Sequence, residues 1–225
     1  MKVVVPSQFE TGYIFSPKEI QEATTPEYRA FLKEAGYVDL KKTPNLFIAN
    51  HLLRADDRVA REANRAGIKI DYTGSVNNIN QENALALVHC LGGRVLTSNF
   101  MYGLFIPNLR LLAEQGDLEA KATLEEMTDM AEFLEDLITD GNKVKIGNGQ
   151  KDLKFVKKDG YFTSSDLNEF GYPNAVRSQG EFRYWCPSAA ENVVVRGRGS
   201  GLGLGCDWGP SDLVGGLGVR FAKFF

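Results

Sequence analysis

Apolar residues recur along this chain at two periods, and the change falls near Gly141. Before it, spacings of three and four residues dominate. TTPEYRAFLKEAGY sets Tyr28, Phe31, Leu32 and Ala35 on one face, with Thr25 able to cap, Pro26 suited to the first turn and Gly36 as a stop, which predicts a helix. PNLFIANHLL is continuous enough to enter a buried strand, and ADDRVAREANRAG predicts a more exposed helix ending at Gly67. In VNNINQENALALVHCLGG, Asn80 can cap a helix whose buried side is Ala84, Leu85, Leu87, Val88 and Leu91. MYGLFIPNLRLLAEQ carries Pro107 and predicts two helical pieces. Leu124, Met127, Met130, Ala131, Leu134, Leu137 and Ile138 then form one stripe opposite many acids, which predicts an acidic amphipathic helix over 117–140. That helix offers either a solvated face or a dock for a basic partner.

After Gly141 short apolar runs alternate with Gly, Asn, Asp, Ser and Pro, as in KVKIGNG, EFRYWCPS, NVVVRGRGS and GLGVRFAKFF. These are strand-and-loop signals, with no helix expected beyond residue 141. Helices followed by strands predict the α+β class. No linker divides the chain, so the reading is an N-terminal extended arm, 1–23, and one domain, 24–225, carrying the 117–140 helix as an insertion.

The 225 residues are 43% apolar and 24% charged, an ordinary globular composition. A net charge of -3 argues against nucleic acid or an anionic membrane as the main partner. No apolar run approaches the ~20 residues of a membrane span. MKVVVPSQFETG lacks the pattern of a signal peptide, which suggests synthesis in a cytoplasm, before assembly into a virion or work in the cytoplasm itself. Cys90, Cys186 and Cys206 are too few and too scattered for a disulfide framework or a zinc site.

RGRGSGLGLGCDWGPSD, Arg196 to Asp212, has glycine at every second position from 197 to 205. It lacks the lysine of a phosphate loop and the spacing of a dinucleotide fingerprint. In an extended chain, strict alternation puts Arg198, Ser200, Leu202, Leu204 and Cys206 on one face and leaves the other flat. Such a strand can lie close against another backbone or a ligand. The following loop displays Trp208, Ser211 and Asp212, with Trp208 either a plug over the core or a binding anchor. Elsewhere, His51, or His89 beside Cys90, could enter a Cys–His pair, and Asp56, Asp57 and Asp212 could ligate metal. Their structural alternatives are satisfied histidines, an inert buried Cys90, and helix caps or surface charge.

Several segments together resemble one family. TTPEYRAFLKEAGY, NINQENALALVHCLGGRVLTSNFMYG, GEFRYWCPS and the VVVRGRGS…GLGVRFAK ending are similar, in order and spacing over residues 24–223, to signature segments of the formylglycine-generating enzyme family. The resemblance implies a C-type-lectin-like fold, with helices on a small twisted antiparallel sheet and Tyr184-Trp185-Cys186 plugging its centre. Relatives with this fold include phage receptor-binding proteins and the variable proteins of diversity-generating retroelements, which display ligand-binding residues in the stretch corresponding to Arg196–Gly216. The enzymes bind copper through paired cysteines, whereas this region holds Cys206 alone.

The resulting expectation is a non-enzymatic binding protein of a virion, such as a phage tail, decoration or receptor-binding component. It would form homo-oligomers, contact other structural subunits, and engage a protein or glycan receptor through Arg198, Ser200, Asp207, Trp208, Ser211 and Asp212. Calcium is admitted as a cofactor. The alternatives are a divergent copper oxidase using Cys206 and a purely structural shell subunit.

Overall fold

The computed structural model describes residues 12–37, 45–71, 74–197, 202–213 and 216–225, and the protein is α+β. Strand β1 (Gly12–Phe15) leads into helices α1 (Pro17–Ala23) and α2 (Pro26–Glu34). Ser16 and Thr25 cap these helices by accepting from the backbone N–H groups of Glu19 and Tyr28. Residues 12–23 of the expected arm are therefore a paired strand and a helix, while 1–11 lie outside the described residues. Strand β2 (Leu46–Leu52) follows, then α3 (Asp57–Arg65) and α4 (Gln81–Cys90). Asp56 caps α3, which settles its role as structural, and Asn80 caps α4. Gly92, at φ +81°, takes the left-handed turn that ends α4.

The two helical pieces expected around Pro107 are one run with a wide turn inside it. Helix α5 (Ser98–Phe100) passes through a π turn (Met101–Phe105) into α6 (Ile106–Glu114). A proline ring clashes with the carbonyl four residues earlier in a regular helix, and the wide turn relieves that crowding.

Helix α7 (Leu118–Asp129) is half the length expected for the acidic helix. Met130 is already extended, and 131–139 is the central strand β3 (Ala131–Thr139). The continuous helical stripe was misleading because β3 is buried on both faces, acids included. Fully buried Glu132 accepts from Nε of Arg196 at 2.6 Å and Nε of Arg220 at 2.9 Å. Burial alone would raise its pKa, but the two guanidinium groups hold the carboxyl below its usual range. Arg196 also donates to the carbonyls of Met127 and Met130, satisfying the end of α7 where the chain turns into β3. Asp136 accepts from the Ser98 N–H and the Tyr172 hydroxyl, and burial pushes it up to about 7.

The remaining strands are β4 (Lys143–Ile146), β5 (Gly149–Asp152), β6 (Gly160–Phe162), β7 (Phe182–Trp185), β8 (Asn192–Arg196), β9 (Leu204–Trp208), β10 (Leu217–Gly218) and β11 (Arg220–Phe224). They form a large sheet in the order β5-β4-β3-β8-β9-β7-β6, with β10 beside β3, and a small sheet β1-β2-β11. The β7–β9 and β3–β10 pairings are parallel and the others antiparallel. One face of the large sheet, with Leu134, Ile138, Phe162, Phe182, Tyr184, Leu204 and Cys206, joins the main core. On its other face Phe133, Val193 and Val195 form a second core with Ala84, Leu87 and Val88 of α4.

Candidate functional site

That second face continues past the cover of α4 onto β9, β7 and β6, and there it carries a different set of residues. Phe182 and Tyr184 of β7 are buried in the main core, so Arg183 and Trp185 alternate to the other side and are half-buried. Tyr161 of β6 pairs directly with Arg183, whose guanidinium lies 5.0 Å from the Tyr161 ring centroid and 6.0 Å from that of Trp185. Arg183 thus links two aromatic rings by cation–π contact.

The alternating glycines explain how Trp185 is seated. In the parallel register Trp185 lies opposite Gly205. A Cβ placed on Gly203 would sit 2.4 Å from the Trp185 ring, and one on Gly197 2.9 Å from it. Only hydrogen at both positions lets the indole lie on the backbone. The Gly197 N–H donates to the Gly203 carbonyl at 2.6 Å, closing the two strands beneath the ring. From the main core the Tyr102 hydroxyl donates to the carbonyls of Leu202 and Gly203, which holds the same segment from below. The sequence predicts one strand through these glycines; instead the antiparallel strands β8 and β9 meet at Gly197 and Gly203, and an aromatic side chain of this chain lies on both.

Trp208 flanks the same floor from the other end. A Cβ on Gly205 would lie 3.4 Å from its indole nitrogen and 3.5 Å from Oδ1 of Asp207. The Trp208 side chain is half-buried and packs against the second core. Asp207 is exposed, with its carboxyl raised by partial burial and by nearby Asp159.

The structure therefore brings together Asp207 and Trp208 of the expected set. Ser211 and Asp212 are exposed in the turn that follows, where Asp212 accepts from the Gly209 N–H at 2.8 Å and shapes the loop. Arg198 and Ser200 lie outside the described residues. Sequence reasoning missed Tyr161, Arg183 and Trp185. Trp185 is not the buried plug implied by the resemblance: Tyr184 fills that role, and Trp185 points to the opposite face. The alternation in EFRYW was the available signal.

The remaining candidates separate. The His51 Nδ1 pairs with Oε2 of Glu126 at 2.7 Å while the Leu52 N–H donates to Oε1, tying β2 to α7. Cys90, expected to be buried, is exposed at the end of α4. Cys206 is fully buried, and burial followed by Asp136 and Asp207 pushes its thiol well up. Cys186 is next in the register from the Trp185–Gly205 pair, and its thiol is raised by burial and by Asp159. Copper(I) takes cysteine as the thiolate, so a metal here would have to displace protons that both thiols hold firmly in the metal-free chain. Among the described residues no group of three or more His, Cys, Asp or Glu side chains is placed to hold a metal ion, so calcium finds no such cradle there. Among the same residues no helix is long and apolar enough to cross a membrane. No protein family, curated protein or solved structure matches this chain.

Proposed function

We propose that this chain is a non-enzymatic binding protein with a C-type-lectin-like fold, and that it takes a protein or glycan receptor on the glycine-floored sheet face. The observation that carries the proposal is the seating of both tryptophans of the chain, Trp185 and Trp208, around Gly203 and Gly205, with Arg183, Tyr161 and Asp207 beside them. Trp, Tyr and Arg are the side chains that dominate binding hot spots, because they present large rigid surface with polar edges. The strand-rich, loop-rich half after Gly141 and the pairing of β1 and β11 on either side of β2 support the fold reading. The virion setting rests on the resemblance of the sequence segments.

A glycan array and a panel of surface proteins, followed by tryptophan fluorescence titration, test the proposal. Because the two tryptophans are the only ones in the chain, the emission reports this face. A hit should shift the emission, and Trp185→Ala should abolish binding without loss of fold. Binding that survives both Trp185→Ala and Arg183→Ala would move the function elsewhere.

A second reading, a shell subunit, draws on Ile14, Leu111 and Leu118, which are 65%, 53% and 78% exposed. Light scattering over a concentration series checks it. Assembly lost in Ile14→Ser or Leu118→Ser would favour that reading.

A further inference from the structure

We propose that a groove between α4 and the β3–β4 hairpin is a binding site for a small amphipathic organic anion, one acidic group on an apolar body. The groove has a volume of about 520 Å³, within the usual range of small-molecule sites. Leu85 and Ala86 of α4, Leu137 of β3 and Pro210 of the loop after β9 give it apolar walls.

Its floor is an arginine held in a fixed position. The Arg94 guanidinium lies 4.0 Å over the Tyr37 ring, donates from Nη2 to the Gly36 carbonyl at 2.9 Å, and pairs through Nη1 with Oε1 of Glu135 at 3.2 Å. The Tyr37 hydroxyl donates to the other oxygen of Glu135, so the charge of this acid is answered within the floor. A guanidinium has five N–H donors in a rigid fork, and these contacts leave donors uncommitted on a side chain that is 27% exposed.

The rim adds one lysine and a histidine. The side chains of Lys145 and His89 are exposed and make no hydrogen bond or ion pair among the described residues. An adjoining hollow of about 210 Å³ shares His89 and Arg94 and adds Lys223. Arg94, Lys145 and Lys223 face two acids, the paired Glu135 and Glu82, so groove and hollow together keep one net positive charge. A concave surface with surplus positive charge, on a chain of net charge -3, is complementary to an anion. The aliphatic walls suit an apolar body, and the pinned arginine spares the ordering cost of a free one.

The probe is 1-anilinonaphthalene-8-sulfonate, one sulfonate on an aromatic body, whose own emission rises when it leaves water. Saturable binding at one site is expected. The uncharged analogue N-phenyl-1-naphthylamine should bind about tenfold more weakly, the share of one charge-assisted contact. Lys145→Glu should weaken the dye by a similar factor, and Ala86→Phe should block it by filling the groove. Both changes are at exposed positions and avoid Arg94, whose removal would strand Glu135 and endanger folding. Trp185→Ala should leave dye binding unchanged, which separates this site from the tryptophan face. Equal affinity for the uncharged analogue, or full affinity in both Lys145→Glu and Ala86→Phe, would overturn the proposal.

Discussion

Two ends of one sheet face differ in what lies over them. At β3 and β8 the face carries Phe133, Val193 and Val195, and Leu87 and Val88 of α4 bury them. At β9, β7 and β6 the same face carries glycines, two tryptophans, Arg183 and Tyr161, and of these Trp208 borders the second core while Trp185 lies on the glycines. Both ends obey the same two-residue alternation. What differs is whether a second layer arrives to take up the apolar side chains. Where it does, branched residues interdigitate. Where it does not, the Trp185 indole packs on glycine and stays half-exposed.

The covered end should break hardest. Glu132→Ala leaves Arg196 and Arg220 as buried guanidinium groups without their carboxylate and is expected to cost about 3–5 kcal/mol in urea denaturation. An equivalent loss at the tryptophan face from Trp185→Ala would erase the distinction between the two ends, since that side chain is half-buried and should cost about 1 kcal/mol.

Asp136 gives a pH test of the buried side. Its carboxyl is raised from 3.8 to about 7 by burial, so between those values the folded protein holds a proton that the unfolded chain has released. The stability Asp136 contributes is present below pH 4 and is lost as pH rises through 7, with a slope of at most about 1.4 kcal/mol per pH unit. Asp136→Asn should flatten this part of the profile, measured by thermal melts across pH 4–8.

The glycine floor offers a smaller effect. Gly203→Ala forces a methyl group against the Trp185 ring and the Arg183 carbonyl, at 2.4 and 2.8 Å. It should cost about 1–3 kcal/mol and shift the tryptophan emission. Unchanged emission would mean that the indole does not rest on the floor. The smallest effect belongs to Cys90→Ser, expected within about 0.5 kcal/mol of the parent because the thiol is exposed. In the unmodified protein a maleimide should label Cys90 quickly and leave Cys206 untouched until unfolding.

Local chemistry explains which elements were legible. Thr25, Asp56 and Asn80 announce helix starts because a cap needs only its own side chain and the next turn. The strands after Gly141 and the α+β class were legible for the same reason, since period-two runs and turn residues act over a few positions. The alternating glycines read as one extended strand, whereas β8 ends at Arg196, its antiparallel partner β9 begins at Leu204 and Leu202 sits at φ +58°. The close approach is real, but the approaching group was not evident. Trp185 reaches them through a parallel pairing between strands some 20 residues apart, and no local pattern encodes that.

The sequence by itself determined the helix caps, the alternation of β7 and β9, and the supply of glycine, tryptophan and arginine near the C-terminus. Only the tertiary structure decided that 131–139 is a central strand. Its acids look solvent-facing until Arg196, Arg220, Arg94 and Tyr172 arrive from distant parts of the chain to pair with them. It also decided that Trp185 and Trp208 share a face, and that Pro210 and Arg94 border one groove. Burial and register are properties of pairs of segments, whereas propensity is a property of one, and that is why the first set could be read in advance and the second could not.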